Sequence, residues 1–278
     1  PDRAVRKAII VPSQLSLHSH AFQRGMAGLA ESRQNPADTF WTWRRLMYQL
    51  AHRISPEQMQ DIASYLYMEM LTAGYTQVAE FHYLHHAQGG ASYGQVAEMS
   101  LRLGEAAHAV GIGLTLLPTL YERGGFDGRP LQEAQERFAT TPELIEKIIS
   151  ETRSAWSETP LLSVGLGLHS LRAVDLKTVA DLLSTQTGPV HIHVAEQQKE
   201  VEECIASVGA RPVEYLLSQA DVDERWCLVH ATHLSSSEVV DMARSGAVAG
   251  LCPITEANLG DGLFPLAPYM NAGGRFGI

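Results

Sequence analysis

The sequence has 278 residues, 45% of them hydrophobic, and its 21 basic and 31 acidic side chains give a net charge of -10. This acidic balance, without a basic stripe, argues against nucleic acid as a partner, and no apolar segment approaches the roughly 20 residues of a membrane span. Because residues 1–7 also lack the apolar core of a signal peptide, we expect a cytoplasmic protein folded as one domain over residues 1–278.

Segments typical of strands and helices alternate along the chain. The apolar run at 8–11 predicts the first strand, and residues 21–55 predict a long loop with a short helix. The first clear helix is delimited by Ser55 as its N-cap, Pro56 at its first position and Gly74 as its stop.

The alternation continues to the end of the sequence. Further strands are predicted at 76–81, 112–117, 162–168, 190–195, 226–230 and 247–251, and an eighth begins at 274–278. Helices are predicted between them at 93–110, 141–156, 175–184, 198–219 (broken near Gly209 and Pro212) and 235–245. The pattern and the length fit an α/β fold of the (β/α)₈ TIM-like type, incomplete because the sequence reaches Ile278 as strand eight begins.

Histidines stand at the ends of several predicted strands. His18 and His20 lie two positions apart, so they share one face at the end of the first strand. Two imidazoles on one face make a divalent-metal site, although a single pair is about as often a surface or core feature. Since such barrels place their chemistry at the carboxyl ends of the strands, the sequence predicts a metal centre there.

The fifth predicted strand carries a second pair, His191 and His193. One of them can pack inside the barrel while the other reaches a metal, and the alternation of side chains does not choose between them. Glu196 follows just beyond this strand. Beside a metal it would carry protons or bind a substrate nitrogen, whereas alone it would be a solvated residue at a helix start.

The sixth predicted strand ends with His230. Two interpretations are open for this residue: its ring faces the metal or transfers protons, or it is simply a buried, hydrogen-bonded ring. Four other histidines close no convincing strand, so structural roles are expected for His52, His85, His86 and His108. The three cysteines form no Cys-x-x-Cys clamp, and buried thiols are expected at Cys204, Cys227 and Cys252.

These residues resemble the amidohydrolase superfamily, in the branch that deaminates amidines and aromatic amines with one metal ion. The resemblance rests on the His18-Ser19-His20 pair, on the His193-Val-Ala-Glu196 string and on His230. Longer strings are similar to the formimidoylglutamate deiminases, at residues 17–24, 79–83, 168–172, 191–199 and 255–261. That family hydrolyses N-formimino-L-glutamate to N-formyl-L-glutamate and ammonia in histidine degradation.

The resemblance implies a role for each candidate residue. One divalent metal ion, zinc above all, would be bound by His18, His20 and His193. Protons would be handled by Glu196 and His230. The substrate would be held by Gln23, Tyr83, His169 and Arg172, and an arginine fork suits a substrate that bears two carboxylates.

The sequence departs from the family pattern at its two ends. Family members carry a metal-binding aspartate at the end of strand eight and a small β-sandwich built from both chain ends. Neither lies within residues 1–278, so we expect these residues to be the ordered part of a longer protein. A real fragment is the alternative, and it would bind zinc weakly and turn over negligibly.

Two other functions are weighed against the deiminase. One is a deaminase of the same branch acting on guanine, an adenosine-type compound or a triazine, against which Arg172 and His169 argue. The other is an inactive, truncated barrel that serves as a binding protein. The expected partners are a small formimino amino acid and a second copy of the chain, with the aromatic segment 41–48 as an interface.

Overall fold

The computed structural model describes residues 11–29 and 40–278, with side chains in the second range from Trp43 onward. In these ranges the strands are β1 (Gln14–Ser19), β2 (Tyr75–His82), β3 (Gly113–Leu120), β4 (Leu162–Val164), β5 (Leu166–Ser170), β6 (Val190–Val194), β7 (Trp226–His230), β8 (Val248–Gly250) and β9 (Arg275–Gly277). The helices are α1 (Phe40–Ala51), α2 (Pro56–Thr72), α3 (Glu98–Val110), α4 (Pro142–Ala155), α5 (Ala180–Thr185), α6 (Gln198–Val208), α7 (Pro212–Gln219), α8 (Ser236–Ser245), α9 (Pro253–Leu259) and α10 (Leu266–Asn271). Short 3₁₀ turns lie at Ala21–Met26, Gln88–Gly90 and Glu133–Phe138.

The strands form one parallel sheet in the order β1-β2-β3-β5-β6-β7-β8-β9, with β4 also pairing with β3. β4 and β5 are successive segments of one barrel strand, broken at Gly165, where a Cβ would lie 2.4 Å from the carbonyl oxygen of Pro189. The sheet returns on itself, because the backbone N–H of Leu17 donates to the carbonyl of Ile278 at 2.9 Å. The predicted (β/α)₈ barrel is therefore confirmed.

Buried strands and capped helices explain why these segments fold as they do. All five residues of β6 and all five of β7 are buried, as expected for strands covered by helices on one side and by the barrel interior on the other. Ser55 and Gln58 form the capping box that starts α2, and Gly74 follows its end with a φ of +96°. Among the described residues, none of the helices combines the length and apolar character needed to traverse a bilayer.

Several element boundaries differ from the predicted ones. The first described strand starts at Gln14, so Val11 lies outside it, and residues 8–10 of the predicted run lie outside the described part. The helix predicted at 175–184 is limited to α5, because the Asp175 carboxylate accepts the backbone N–H of Lys177 in a local turn. α3 starts at Glu98 and not at residue 93, and α9 and α10 were not predicted.

Arg137 joins the segments beneath the pocket, and its loss is expected to destabilise the fold. Its buried guanidinium donates to the carbonyls of His86 (2.7 Å), Ile54 (3.0 Å) and Ala51. Arg137→Met leaves these acceptors unpaired, so we expect the free energy of unfolding to fall by about 3 kcal/mol in urea denaturation. The exposed Arg129→Met is the control, with an expected change within about 0.5 kcal/mol. Equal stability of the two variants would contradict this role for Arg137.

Candidate metal centre and substrate pocket

A cavity of about 300 Å³ opens at the carboxyl ends of the barrel strands. Its walls include residues from the carboxyl-terminal ends of β1, β5, β6 and β7 together with side chains from α1. The volume lies at the small end of the range for ligand pockets, which suits a metabolite of amino-acid size. All nine residues proposed from the sequence line this one cavity: His18, His20, Gln23, Tyr83, His169, Arg172, His193, Glu196 and His230.

Three of these histidines converge at one point. The Nε2 atom of His18 lies 3.0 Å from Nε2 of His20 and 3.0 Å from Nε2 of His193. His18 belongs to β1, His20 follows its last residue, and His193 lies on β6 across the barrel. Nitrogen atoms that share a tetrahedral zinc ion at its usual bond length lie about 3.3 Å apart, so both distances from His18 are close to what such an ion requires.

The hydrogen bonds of the rings show which nitrogens are free to bind an ion. Nδ1 of His20 lies 2.9 Å from the carbonyl of Phe81, and Nδ1 of His193 lies 2.9 Å from the carbonyl of His169. A carbonyl only accepts, so each Nδ1 carries the proton and each Nε2 presents a lone pair to the centre. Facing lone pairs repel one another unless a cation lies between them. The residues present therefore fit a divalent metal.

Burial keeps these imidazoles neutral, which is the form that binds a metal. Burial lowers the pKa of His20 to about 4. For His18 and His193, burial and the neighbouring histidines lower the pKa well below 6.5. The three rings are therefore neutral at every pH near 7.

The two histidines of the fifth predicted strand lie at different places in the barrel. His193 reaches the other two rings, whereas His191 is buried in the barrel beneath them, beside the backbone of Leu17. The structural roles expected for His85 and His86 agree with their contacts, since Nε2 of each lies within hydrogen-bond distance of a carbonyl, that of Thr119 or Ala139.

Glu196 and His230 lie together beside the histidine centre. An Oε1 of Glu196 is 3.7 Å from Nε2 of His230, and the His230 ring stacks on that of His193 at 5.6 Å between centroids. Burial alone would lower the pKa of His230, but the charge of Glu196 and hydrogen bonds to Cys252 and Glu256 raise it well above 6.5. The two side chains therefore form an ion pair beside the three histidines, at a separation somewhat longer than a hydrogen bond.

An unusual backbone conformation directs the His230 ring. The φ angles of His230 and Ala231 are +68° and +48°, in a region that residues other than glycine seldom adopt. The turn is held by the Ala231 N–H, which donates to the carbonyl of Val194, and by Glu256, whose Oε1 lies 3.2 Å from His230 Nδ1. Such strain persists only where surrounding contacts enforce it, and it is typical of functional sites.

The four candidate substrate residues form two groups in the pocket. The Gln23 side-chain amide donates to the Tyr83 hydroxyl at 3.1 Å, which links the start of the chain to the end of β2. The His169 ring packs 4.3 Å from that of Tyr121 between centroids, next to the centre. The Nε of Arg172 is buried without a hydrogen-bond partner among the described residues, and such a donor is suited to an anionic ligand.

Several pocket residues were missed by the sequence reasoning. α1 brings Trp43, Arg44 and Tyr48 to the pocket wall, so the described part of the aromatic segment faces the cavity. Arg44 supplies a second guanidinium. Burial has the largest effect in lowering the pKa of His169, followed by the charge of Arg172 and then by that of Arg44. Cys252 is half-buried at the pocket edge, which corrects the expectation of a buried thiol there, whereas Cys204 and Cys227 are buried as predicted.

Comparisons with known proteins agree with this geometry. The family model described as "Amidohydrolase family" matches residues 9–278. The chain is 55% identical to the formimidoylglutamate deiminase of Pseudomonas aeruginosa over 271 residues, which are 97% of this chain and 60% of that protein. It is 26% identical to a 5-methylthioadenosine/S-adenosylhomocysteine deaminase of Thermodesulfovibrio yellowstonii over 95% of this chain and 54% of that protein. The chain thus spans about 60% or less of the length of these curated relatives.

A solved structure shows the same fold at high similarity. An amidohydrolase from Brucella melitensis superposes with a TM-score of 0.91 at 50% identity, covering 96% of this chain and 60% of that one. A zinc complex of atrazine chlorohydrolase from Arthrobacter aurescens TC1 superposes with a TM-score of 0.78 at 18% identity, covering 96% of this chain and 60% of that one. At this low identity the similarity shows the shared fold alone. With the match of the family model over residues 9–278, the barrel and its histidines place this chain in the amidohydrolase family.

Proposed function

We propose that the protein is a zinc-dependent deiminase that hydrolyses N-formimino-L-glutamate to N-formyl-L-glutamate and ammonia. The observation that carries the proposal is one cavity lined by three converging His Nε2 atoms, by a Glu–His pair and by two arginines. The 55% identity to a protein named formimidoylglutamate deiminase supports the same substrate. Ammonia release from this compound, measured on the zinc-loaded protein, is the test.

The arginines of the pocket explain the choice of substrate. N-formimino-L-glutamate bears two carboxylates, and a guanidinium binds a carboxylate with two parallel hydrogen bonds. Arg172 and Arg44 both line the cavity, so each carboxylate can meet a cation. Guanine, an adenosine-type compound or a triazine has no carboxylate and would leave the buried Nε of Arg172 without an acceptor, which is costly. We therefore rank these alternative substrates, and a non-enzymatic binding role, below the deiminase.

His18, His20 and His193 would hold the zinc ion through their Nε2 atoms. When bound, the ion would supply Lewis acidity, which makes water nucleophilic near neutral pH. Zinc is preferred because the donors are three imidazole nitrogens, a set typical of catalytic zinc sites. The carbonyls of Phe81 and His169 would keep two of the rings in the tautomer that the ion needs.

Glu196 and His230 would move the protons of the reaction. Water adds to the formimino carbon and gives up a proton, which Glu196 accepts on its carboxylate. Glu196 delivers this proton to the imino nitrogen, then takes the remaining hydroxyl proton of the adduct and delivers it to the same nitrogen, so that the C–N bond breaks with loss of neutral ammonia while the water oxygen stays in the formyl group as its carbonyl. His230 Nε2, 3.7 Å from Glu196, would orient the attacking water and assist its deprotonation by exchanging a proton at Nε2.

Arg172 is expected to act mainly in substrate binding. Arg172→Met removes charge-assisted hydrogen bonds to a carboxylate, so KM for N-formimino-L-glutamate should rise about 10- to 100-fold while kcat changes less. Arg172→Lys should restore only part of the loss, because an ammonium lacks the planar fork. Steady-state rates of ammonia release give both constants. Unchanged kinetics in Arg172→Met would remove Arg172 from the substrate site.

We also propose that two copies of the chain assemble as a homodimer in the cytoplasm. Cyclic dimers are the commonest assemblies of soluble enzymes, which supports the dimer as the default expectation. Since Trp43 and Tyr48 line the cavity, the interface is not assigned to the aromatic segment.

A further inference from the structure

A second group of metal-ligand side chains lies next to the three-histidine centre, and we call it the thiol cluster. It consists of His230 at the end of β7, Cys252 just before α9 and Glu256 in the first turn of α9. Donor atoms of the three side chains all lie within 4.8 Å of one another. His230 and Glu256 are buried, and Cys252 is half-buried. Imidazole, thiolate and carboxylate are the three protein ligand types that zinc prefers.

The two nitrogens of His230 face different partners. Nδ1 lies 3.2 Å from Oε1 of Glu256, and the same oxygen accepts the backbone N–H of Cys252 at 2.8 Å. Nε2 lies 3.7 Å from Glu196, on the side of the reaction. The Nδ1 side of the ring therefore belongs to the thiol cluster, and the Nε2 side belongs to the candidate active site.

An ion can reach the thiol cluster from the cavity, because His230 and Cys252 both line it. Water in the cavity would provide the fourth ligand, as in sites with three protein donors. We propose that the thiol cluster is a second, inhibitory binding site for thiophilic divalent ions such as Zn²⁺ and Cd²⁺. This site goes beyond the proposed function, since an ion bound there would inhibit the reaction through His230, the one residue that the two sites share.

Inhibition follows from the tautomer of His230. Without an ion in the thiol cluster, Nδ1–H donates to Glu256, and Nε2 is able to give up and take back a proton on the side of Glu196. An ion bound to Nδ1 displaces the proton there, and the neutral ring then carries its one hydrogen on Nε2. Loss of that hydrogen would leave a costly anionic ring, so His230 can no longer exchange a proton with the reaction. The backbone at His230 and Ala231, at positive φ and hydrogen-bonded to Val194, fixes the point from which the ring extends between the two partners.

Ultraviolet spectroscopy tests the site without any measurement of activity. Cd²⁺ is added to protein that already holds one equivalent of Zn²⁺, and the thiolate-to-metal charge-transfer band is recorded. The three-histidine centre contains no sulfur, so an ion there gives no such band. We expect a band that saturates at one further equivalent, is lost in Cys252→Ser and is retained in the control Cys204→Ser, whose thiol is buried at α6. No band, or a band that persists in Cys252→Ser, would overturn the proposal.

Excess Zn²⁺ tests the inhibitory effect. We expect ammonia release by the wild type to fall as Zn²⁺ rises above one equivalent. In Cys252→Ser, the Zn²⁺ concentration for half-inhibition should rise about tenfold or more, with each protein compared with its own rate at one equivalent. Equal inhibition of the two proteins would overturn the inhibitory role. The inhibition experiment rests on the proposed function, whereas the charge-transfer band does not. Failure of the second metal site can therefore be distinguished from failure of the proposed function.

Discussion

Glu196→Gln is expected to lower kcat for ammonia release by about 10²-fold to 10⁴-fold while the protein keeps its metal. The glutamine amide has the shape of the carboxylate, so it fits the same buried position, but it cannot accept the proton of the attacking water. Glu196 is not among the three converging ligands, and the metal content should therefore stay at the wild-type value. Steady-state kinetics and metal analysis on the same preparation check both parts.

The matched control for this variant lies on the neighbouring helix. Glu202 is exposed on α6 and contacts the side chain of Gln198, away from the cavity lining. Glu202→Gln removes the same charge and should leave kcat and metal content unchanged. If Glu196→Gln retains more than about a tenth of the wild-type kcat, Glu196 does not carry the proton.

His193→Ala is expected to abolish both metal binding and turnover. The variant removes one of three converging nitrogens, and the two that remain, on His18 and His20, are neighbours on a single strand end. Loss of a residue that only orients a ligand costs about 10- to 100-fold in metal affinity, so loss of a ligand should cost more than about 100-fold. Competition with a chelator of known zinc affinity measures the change.

The exposed His108 on α3 provides a control for the loss of an imidazole side chain outside the three-histidine centre. His108→Ala should bind zinc as the wild type does. Thermal unfolding of both variants without metal separates loss of the ligand from loss of the fold, because His193 also packs against Phe81 at 4.4 Å between ring centroids. A His193→Ala protein that is folded and still binds zinc with wild-type affinity would contradict the assignment of His193.

The architecture of the barrel was predictable because each strand carries a strong local signal. In β6 valine and isoleucine alternate with histidine, β7 is an apolar run that ends in His230, and α2 begins at a capping box and ends before a glycine. The position of a residue at the end of a strand was enough to predict that His18, His20, His193 and His230 meet at one edge of the barrel.

Other features of the site depend on tertiary contacts that no local pattern encodes. His191 and His193 share a strand face, and only the height of each residue in the barrel decides which one reaches His18. Arg44 enters the cavity through the packing of α1, whose sequence gives no sign of the pocket. Glu256 is brought to His230 by the short helix α9, which contains only seven residues and begins with a proline.

The most direct test of the account is ammonia release by the zinc-loaded protein, with N-formimino-L-glutamate and guanine compared at millimolar concentration. Chromatography of the products gives the amount of N-formyl-L-glutamate formed. We predict one ammonia for each N-formyl-L-glutamate and no release from guanine. No ammonia from N-formimino-L-glutamate, or faster release from guanine, would contradict the proposed function.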